Sequence, residues 1–400
     1  PGDPAIVSGT DGVEPFRAEV RDWLVQHAPA RGSAEDFSAA HIVSASTREE
    51  FEKREHDALE TTRRWQRRLF DAGWAARSWA QEYGGHGGPG WQADVVAEEQ
   101  SRFGVSTKML AIALEMVPSV LLDHGSHEQR LAHLPRIARG EEAWCQLLSG
   151  PGAGSDLARI PTFAAPDGDG WSVSGQKVWT SGATSADMAL LLARTDRRQA
   201  GRAGVSCFAL PMDQPGVEVR PLRQMSGAYH FNEVFLDRAR LGPEHLIGDL
   251  GDGFAVLRTM LASERAAIGG GTSARSFTEL RALAVRTGRA TDPSARQEVA
   301  RAYTRERLLD LLMTRAASAP AAGSLTKLAY PEHARLTASA ALGLLGPAAA
   351  VRDYDVAQPC IDPFLFAPGL RLGGCTDEIQ RNTIAERGLG LPRDPRPERP

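Results

Sequence analysis

Hydrophobic side chains recur at helical spacing near the start of the chain. Phe16, Val20 and Trp23 lie on one helical stripe, and a long charged segment over 48–68 carries scattered apolar residues among many Arg and Glu. Helical texture continues to 110–122, although a Gly-rich stretch interrupts it. The pattern predicts a helical N-terminal domain over 1–145.

The pattern changes after Leu147. Ser149 to Asp156 is a Gly-rich loop, and short runs of apolar or alternating residues follow from 162 to 250. Pro166 to Gly170 has the composition of a turn between two strands. We therefore expect a middle antiparallel β-domain, a barrel or a sandwich, over 146–250.

Helical periodicity returns at Gly253. Two later stretches, 297–318 and 326–345, are long, Ala- and Leu-rich and compatible with helices. Residues 392–400 alternate Pro with charge, which is typical of a disordered tail. The predicted fold class is α+β and multidomain, ending in a C-terminal four-helix bundle over 251–391.

Composition is that of an ordinary globular protein. The 400 residues carry 46 Lys+Arg and 50 Asp+Glu, a net charge of −4, so nothing favours nucleic acid or an anionic membrane as partner. The 4 Cys form no C-x-x-C pair, which favours reduced thiols and a cytoplasmic protein without a bound metal. No apolar run approaches the ~20 residues of a membrane span, and residues 1–11 do not resemble a secretory leader.

Glu264 is a candidate for chemistry because of its place on a helix. The apolar stripe of Phe254, Leu257, Leu261 and Ile268 brings position 264 to the buried side. A buried carboxylate must be paired or protonated. The side chain is therefore either half of a structural ion pair or a general base with a raised pKa.

Two further features allow two interpretations each. The 149–156 loop has neither the P-loop ending nor the G-x-G-x-x-G spacing, so it either connects two domains or presents N–H groups to a ligand. Trp179, late in a predicted strand, either packs in the core or forms a flat wall for a planar cofactor.

The order of the motifs resembles the acyl-CoA dehydrogenase family. The similarity extends from about Phe16 to Pro392. It rests on several motifs: Trp-Ala-Ala-Arg-Ser-Trp-Ala-Gln-Glu-Tyr-Gly-Gly-His-Gly-Gly, Trp-Cys-Gln-Leu-Leu-Ser-Gly-Pro-Gly-Ala-Gly-Ser-Asp, Lys-Val-Trp-Thr-Ser, Asn-Glu-Val-Phe-Leu-Asp and Thr-Asp-Glu-Ile-Gln-Arg.

The resemblance implies FAD and the α,β-dehydrogenation of an acyl-CoA thioester. In the family a carboxylate removes the α-proton, the β-hydride passes to flavin N5, and an electron-transfer flavoprotein takes the electrons. The family fold comprises a helical domain, a β-domain and a helical bundle, assembled as a homodimer or homotetramer.

The matching positions assign roles. Leu148 and Ser149 correspond to residues that bind the flavin pyrimidine, Trp179 to the Trp against the isoalloxazine, and Ser181 to the residue near N5. The other matches are Ser155 and Arg265 at the substrate, and Thr376, Asp377 and Glu378 at the FAD adenosine.

Departures from the family pattern change the assignment of the base. The usual Glu corresponds to Gly374, whereas a minority of members, including isovaleryl-CoA, long-chain and many actinobacterial steroid-side-chain enzymes, carry the base on the helix before the Arg. That position is Glu264, which we therefore predict to be the base. Gly150 and Cys375 replace the family's usual Glu and Gly, and a free thiol at 375 is either a small packed side chain or reactive.

The Arg-x-x-Phe-Gly motif for a neighbour's FAD is absent, and Arg286 is the candidate substitute. Two other functions therefore remain open. One is a flavin oxidase or oxygenase of the same fold, and the other is a non-catalytic subunit that completes a heteromeric acyl-CoA dehydrogenase. The acyl chain is not specified by these motifs.

Overall fold

The structure is a computed structural model that describes residues 12–39, 47–199, 201–269, 276–316, 321–351 and 357–393. The chain divides into two compact units, Pro1–Met260 and Leu261–Pro400. The predicted disordered tail at 392–400 lies almost wholly outside the described residues.

Eleven helices occur in the described part of the chain. They are α1 (Val13–His27), α2 (Arg48–Asp71), α3 (Trp91–Gln100), α4 (Val117–His124), α5 (His127–Ala138), α6 (Gly253–Gly269), α7 (Phe277–Arg286), α8 (Pro293–Ala316), α9 (Ala322–Leu345), α10 (Gln358–Leu370) and α11 (Asp377–Thr383).

Eight strands form one sheet. They are β1 (Trp144–Leu147), β2 (Phe163–Asp167), β3 (Gly170–Ser181), β4 (Met188–Arg194), β5 (Val205–Pro211), β6 (Val217–Leu222), β7 (Phe231–Leu241) and β8 (Leu246–Ile247). The order helices, strands, helices confirms the predicted fold class, while the domain boundaries near 145 and 250 stay predictions.

The helical part of the first unit is held by an apolar cluster and a buried acid. Val20 and Leu24 of α1 pack with Trp65 and Leu69 of α2. Glu99 of α3 has a fully buried side chain, and its oxygens accept hydrogen bonds from arginines of α1 at 2.8–3.0 Å. These bonds fix α1 against α3.

Side-chain caps mark where several helices begin. The Thr47 hydroxyl accepts a hydrogen bond from the Glu50 N–H at the start of α2. Ser126 and Gln129 form a reciprocal capping box at the start of α5. Between α3 and α4 the predicted helix 110–122 is irregular, with a π-helix over Ile112–Met116 that the apolar pattern did not indicate.

The sheet has the order β6-β7-β3-β2-β4-β5-β8, with β1 beside β4. Most pairs are antiparallel, including the predicted β2–β3 hairpin that closes at Asp167 and Gly170. The β1–β4 and β2–β4 pairs are parallel. Long connections make parallel pairing of these strands feasible, and the alternation of side chains does not distinguish the two directions.

The second unit is built from α7 to α11. Its apolar cluster joins Leu280 and Leu283 of α7 to Ala341 and Leu344 of α9 and to Cys360 of α10. The Ser276 hydroxyl caps α7 in a capping box with Glu279. Small alanines on α9 let its neighbours approach closely, which agrees with the predicted helical bundle.

Candidate functional site

A β-bulge turns Trp179 out of the sheet. The register between β3 and β7 shifts between Lys177 and Thr180, and Trp179 inside this shift has φ 65°. The left-handed backbone is costly for a bulky residue, and such strain concentrates at functional sites. The side chain is 63% exposed, so the interpretation of Trp179 as a core residue is wrong.

The exposed indole is held by one aromatic contact. Its ring lies 6.1 Å from the Phe231 ring at an interplanar angle of 85°. Phe231 pairs with Ser181, which is exposed and lies two residues beyond Trp179 on β3. The edge-to-face contact supports one side of the indole and leaves the flat face available to a ligand.

Leu148 and Ser149 run beside the bulge. The Val178 N–H donates to the Ser149 carbonyl at 3.0 Å, and the Lys177 ammonium donates to the Leu148 carbonyl at 2.8 Å. Within the described residues, neither Leu148 nor Ser149 donates a main-chain hydrogen bond. Two consecutive N–H groups are therefore available at a half-buried position, where a ligand acceptor would satisfy them.

The Gly-rich loop begins with a tight turn. Gly150 and Ala153 exchange main-chain hydrogen bonds of 3.2 and 3.1 Å. A Cβ at Gly150 would lie 3.1 Å from the Gln176 carbonyl oxygen, which is tighter than ordinary contact. The close approach of the loop to β3 accounts for glycine at this departure from the family pattern. Ser155 lies farther along the loop and is exposed.

A buried acid lies just beyond Ser181. The Thr184 hydroxyl donates to a carboxylate oxygen of Glu55 at 3.1 Å, and Glu55 is only 6% exposed. Burial raises the pKa of Glu55, and the hydrogen bond from Thr184 opposes that shift. This contact ties α2 to the segment that follows β3.

In the second unit, Thr376, Asp377 and Glu378 begin α11. The Thr376 hydroxyl accepts the Ile379 N–H at 3.5 Å, and buried Asp377 accepts hydrogen bonds from Arg371 at 2.6 Å. Glu378 is exposed, and its pKa is lowered by the hydrogen bonds of the helix start. The Thr376 and Asp377 side chains thus shape the loop, and the predicted adenosine contact stays a prediction.

The loop before α11 contains two consecutive left-handed residues. Gly374 has φ 64° and Cys375 has φ 77°, and the Gln380 side chain donates to the Gly374 carbonyl at 3.0 Å. Cys375 is half-buried. The loop is held in a defined shape at the position where most of the family carries its base.

Arg286 ends α7 and is exposed, so its guanidinium can reach a ligand. Glu264 and Arg265 lie in α6, but their side chains lie outside the described residues. Their predicted roles therefore stay predictions.

The buried face of α6 differs from the predicted stripe. Val256, Leu257 and Met260 are 1–5% exposed, whereas Phe254 and Leu261 are only half-buried. Helical spacing gives position 264 the same face as 257 and 260, because it lies seven and four residues beyond them.

The site in the first unit has a definite chemistry. It combines an exposed indole face with two free N–H donors and no group of metal-binding side chains among the residues described. A planar heterocycle with polar atoms along one edge fits it, and the isoalloxazine of FAD has that form. Fold and site thus define a protein of the flavin-binding type.

Comparisons with known proteins identify the family. Models of the acyl-CoA dehydrogenase N-terminal, middle and C-terminal domains match residues 16–141, 145–239 and 251–389. Acyl-CoA dehydrogenase IpdE1 of Mycobacterium tuberculosis is 37% identical over 325 residues, which covers 78% of this chain and 84% of that protein.

Solved structures agree in fold. The Tcur3481-Tcur3483 steroid ACAD superposes with a TM-score of 0.78 at 25% identity, covering 98% of this chain and 99% of that one. The ChsE4-ChsE5 complex from Mycobacterium tuberculosis gives 0.72 at 25% identity, covering 98% and 100%.

The chain belongs to the acyl-CoA dehydrogenase family. It is an oxidoreductase that acts on CH–CH groups in lipid metabolism, in a family that depends on FAD. No helix in the described ranges has the length and apolar character needed to cross a bilayer.

Sequence reasoning did not single out Lys177. Its side chain is fully buried and lies directly behind the loop at 148–149. The strand alternation that buries Val173 also puts Lys177 on the inward face of β3. A charged residue at an inward position was the available signal.

Proposed function

We propose that this protein dehydrogenates an acyl-CoA thioester at its α,β-bond, with FAD as the bound cofactor. The observation that supports this most strongly is Trp179, a large aromatic side chain kept in solvent by a strained bulge next to two free N–H groups. In this proposal Leu148, Ser149, Trp179 and Ser181 hold the isoalloxazine.

Other residues hold the remaining parts. Thr376, Asp377 and Glu378 bind the adenosine half of FAD, Asp377 through its main chain because its carboxylate is engaged by Arg371. Arg286 contacts the pyrophosphate. Ser155 and Arg265 contact the substrate.

Glu264 acts as the base. Its carboxylate removes the α-proton of the thioester, and bound FAD supplies the hydride acceptor for the β-carbon. A carboxylate on the apolar face of α6 has a raised affinity for a proton, which suits the removal of a weakly acidic C–H. Trp179 covers the reaction zone and excludes water from it.

We further propose a steroid-derived acyl group and a heteromeric assembly. A solved relative is named a steroid ACAD, and two solved relatives are named as pairs of different chains. This chain lacks the Arg-x-x-Phe-Gly motif, so a second, different chain would supply that contact. An electron-transfer flavoprotein is the proposed electron acceptor.

The experiment is a flavin-bleaching screen on the purified protein, prepared alone and with a co-expressed paralogue. Steroid-derived, long, branched and short acyl-CoAs are added anaerobically while the flavin absorbance is followed. Bleaching by the steroid-derived thioester supports the proposal, and bleaching by another class corrects the substrate alone. A yellow protein bleached by none of them contradicts the function.

The same preparation tests the alternatives. Oxygen consumption with peroxide release, and no reduction of an artificial acceptor, would indicate an oxidase. A chain that stays colourless alone, and binds no flavin through its own residues in the complex, would be the non-catalytic subunit.

A further inference from the structure

The strand β4 changes its neighbour beside the proposed flavin site. β1 pairs with β4 up to Leu147 and Leu191, and β2 takes over at Arg194. The carbonyl of Leu192 falls between these two ladders. Such a gap leaves buried carbonyl groups that need donors.

The Lys177 side chain fills this gap. Its ammonium donates to the Leu192 carbonyl at 2.6 Å and to the Leu148 carbonyl at 2.8 Å. Lys177 is 0% exposed. The ammonium therefore joins the end of β1 to β4 from within β3.

A buried ammonium is an expensive way to satisfy two carbonyls. Burial lowers the pKa of Lys177 to about 7, and the neighbouring Cys207, which pairs with Leu192, has its pKa raised to about 12 by burial. Within the described residues no acid is hydrogen-bonded to this amine. A continued strand ladder would satisfy the same carbonyls at lower cost.

A continued ladder would, however, use the amides of the flavin loop. If β1 extended past Leu147, its next N–H groups would be paired with β4 or its other neighbour. With Lys177 as donor, the strand stops and the N–H groups of Leu148 and Ser149 remain without acceptors among the described residues.

We propose that Lys177 is the positioning residue of the flavin edge: its ammonium holds the Leu148 carbonyl so that the Leu148 and Ser149 N–H groups face the flavin pyrimidine. This inference rests on the proposed function. It explains why a charged side chain occupies the interior of the β-domain next to the loop.

Two variants of equal side-chain length test the proposal. Lys177→Met removes every donor, whereas Lys177→Gln retains an amide donor that can reach one carbonyl. The apoproteins are titrated with FAD, and the reduction potential and visible spectrum of the bound flavin are measured. Hydrogen bonds to the ring set these flavin properties, and a loss of stability elsewhere would not change them.

We expect Lys177→Met to weaken FAD binding about tenfold, to lower the flavin potential and to shift the visible bands. Lys177→Gln should fall between it and the wild type. Glu99→Gln is the control, because it destabilises the α1–α3 contact and leaves β1 and β3 intact. Its flavin potential and spectrum should equal those of the wild type.

Wild-type affinity, potential and spectrum in both Lys177 variants would overturn the proposal. If Lys177→Met does not fold, Lys177→Gln decides alone, and an unchanged potential overturns it. A wild-type protein that binds no FAD would instead contradict the proposed function, so the two failures are distinguishable.

Discussion

Replacing Trp179 by glycine should leave the stability of the apoprotein nearly unchanged and abolish flavin binding. Relief of the left-handed backbone at φ 65° returns about 1–2 kcal/mol. Against this stand the lost contact with Phe231, about 1 kcal/mol, and the greater backbone freedom of glycine, about 0.5–1 kcal/mol. The expected net change is within about 1 kcal/mol.

Trp171 on the same strand is the matched control. Its ring packs 5.1 Å from Phe208 against the core of the β-domain, and its backbone is not left-handed. Trp171→Gly should therefore lose about 2–4 kcal/mol. This difference separates a residue kept for packing from one kept for a ligand.

The assay is urea unfolding of both apoproteins, followed by circular dichroism, together with a fluorescence titration by FAD. We expect Trp179→Gly to unfold at nearly the wild-type urea concentration and to bind FAD at least about tenfold more weakly. Equal destabilisation by the two substitutions, with FAD affinity retained in Trp179→Gly, would refute the assignment of Trp179 as a ligand wall.

Three further substitutions give separate tests. Glu99→Gln should cost about 3 kcal/mol near pH 7; because the pKa of Glu99 is lowered from 4.5 to about 2, its contribution is present above pH 4.5 and is lost as the pH falls towards 2, so a deficit in urea unfolding that persists at pH 2 would contradict it. Burial raises the pKa of Glu55, so its folded form binds a proton more tightly than the unfolded form and loses stability as the pH rises; Glu55→Gln should unfold at a higher temperature than the wild type at pH 7 but not below pH 4.5, and a lower melting temperature at pH 7 would count against this. Arg286→Ala should leave the melting temperature of the apoprotein unchanged, since the side chain is exposed, and weaken FAD binding about tenfold; unchanged affinity would remove Arg286 from the site.

The order of elements was predictable from periodicity, because helices and strands bury side chains with different spacing. The strands around Trp171 and Met188, for example, follow from their apolar positions. The π-helix at Ile112–Met116 was not predictable, since it depends on one extra residue per turn and not on polarity.

The candidate site was only partly predictable. Trp179 was ambiguous in the sequence, because exposure depends on a register shift between β3 and β7 that alternation does not reveal. The function of Lys177 depends on where β4 exchanges β1 for β2, which is a property of the folded sheet. On α6 the stripe was displaced towards Val256 and Met260, although position 264 keeps its place on the buried face.

The identity of the base is the central claim, and Glu264→Gln tests it most directly. The variant should bind FAD as the wild type does, while the rate of flavin bleaching by the active acyl-CoA falls about 10²–10⁴-fold. Glu264→Asp, which keeps a carboxylate, should retain part of the rate. Bleaching at the wild-type rate in Glu264→Gln would contradict the assignment.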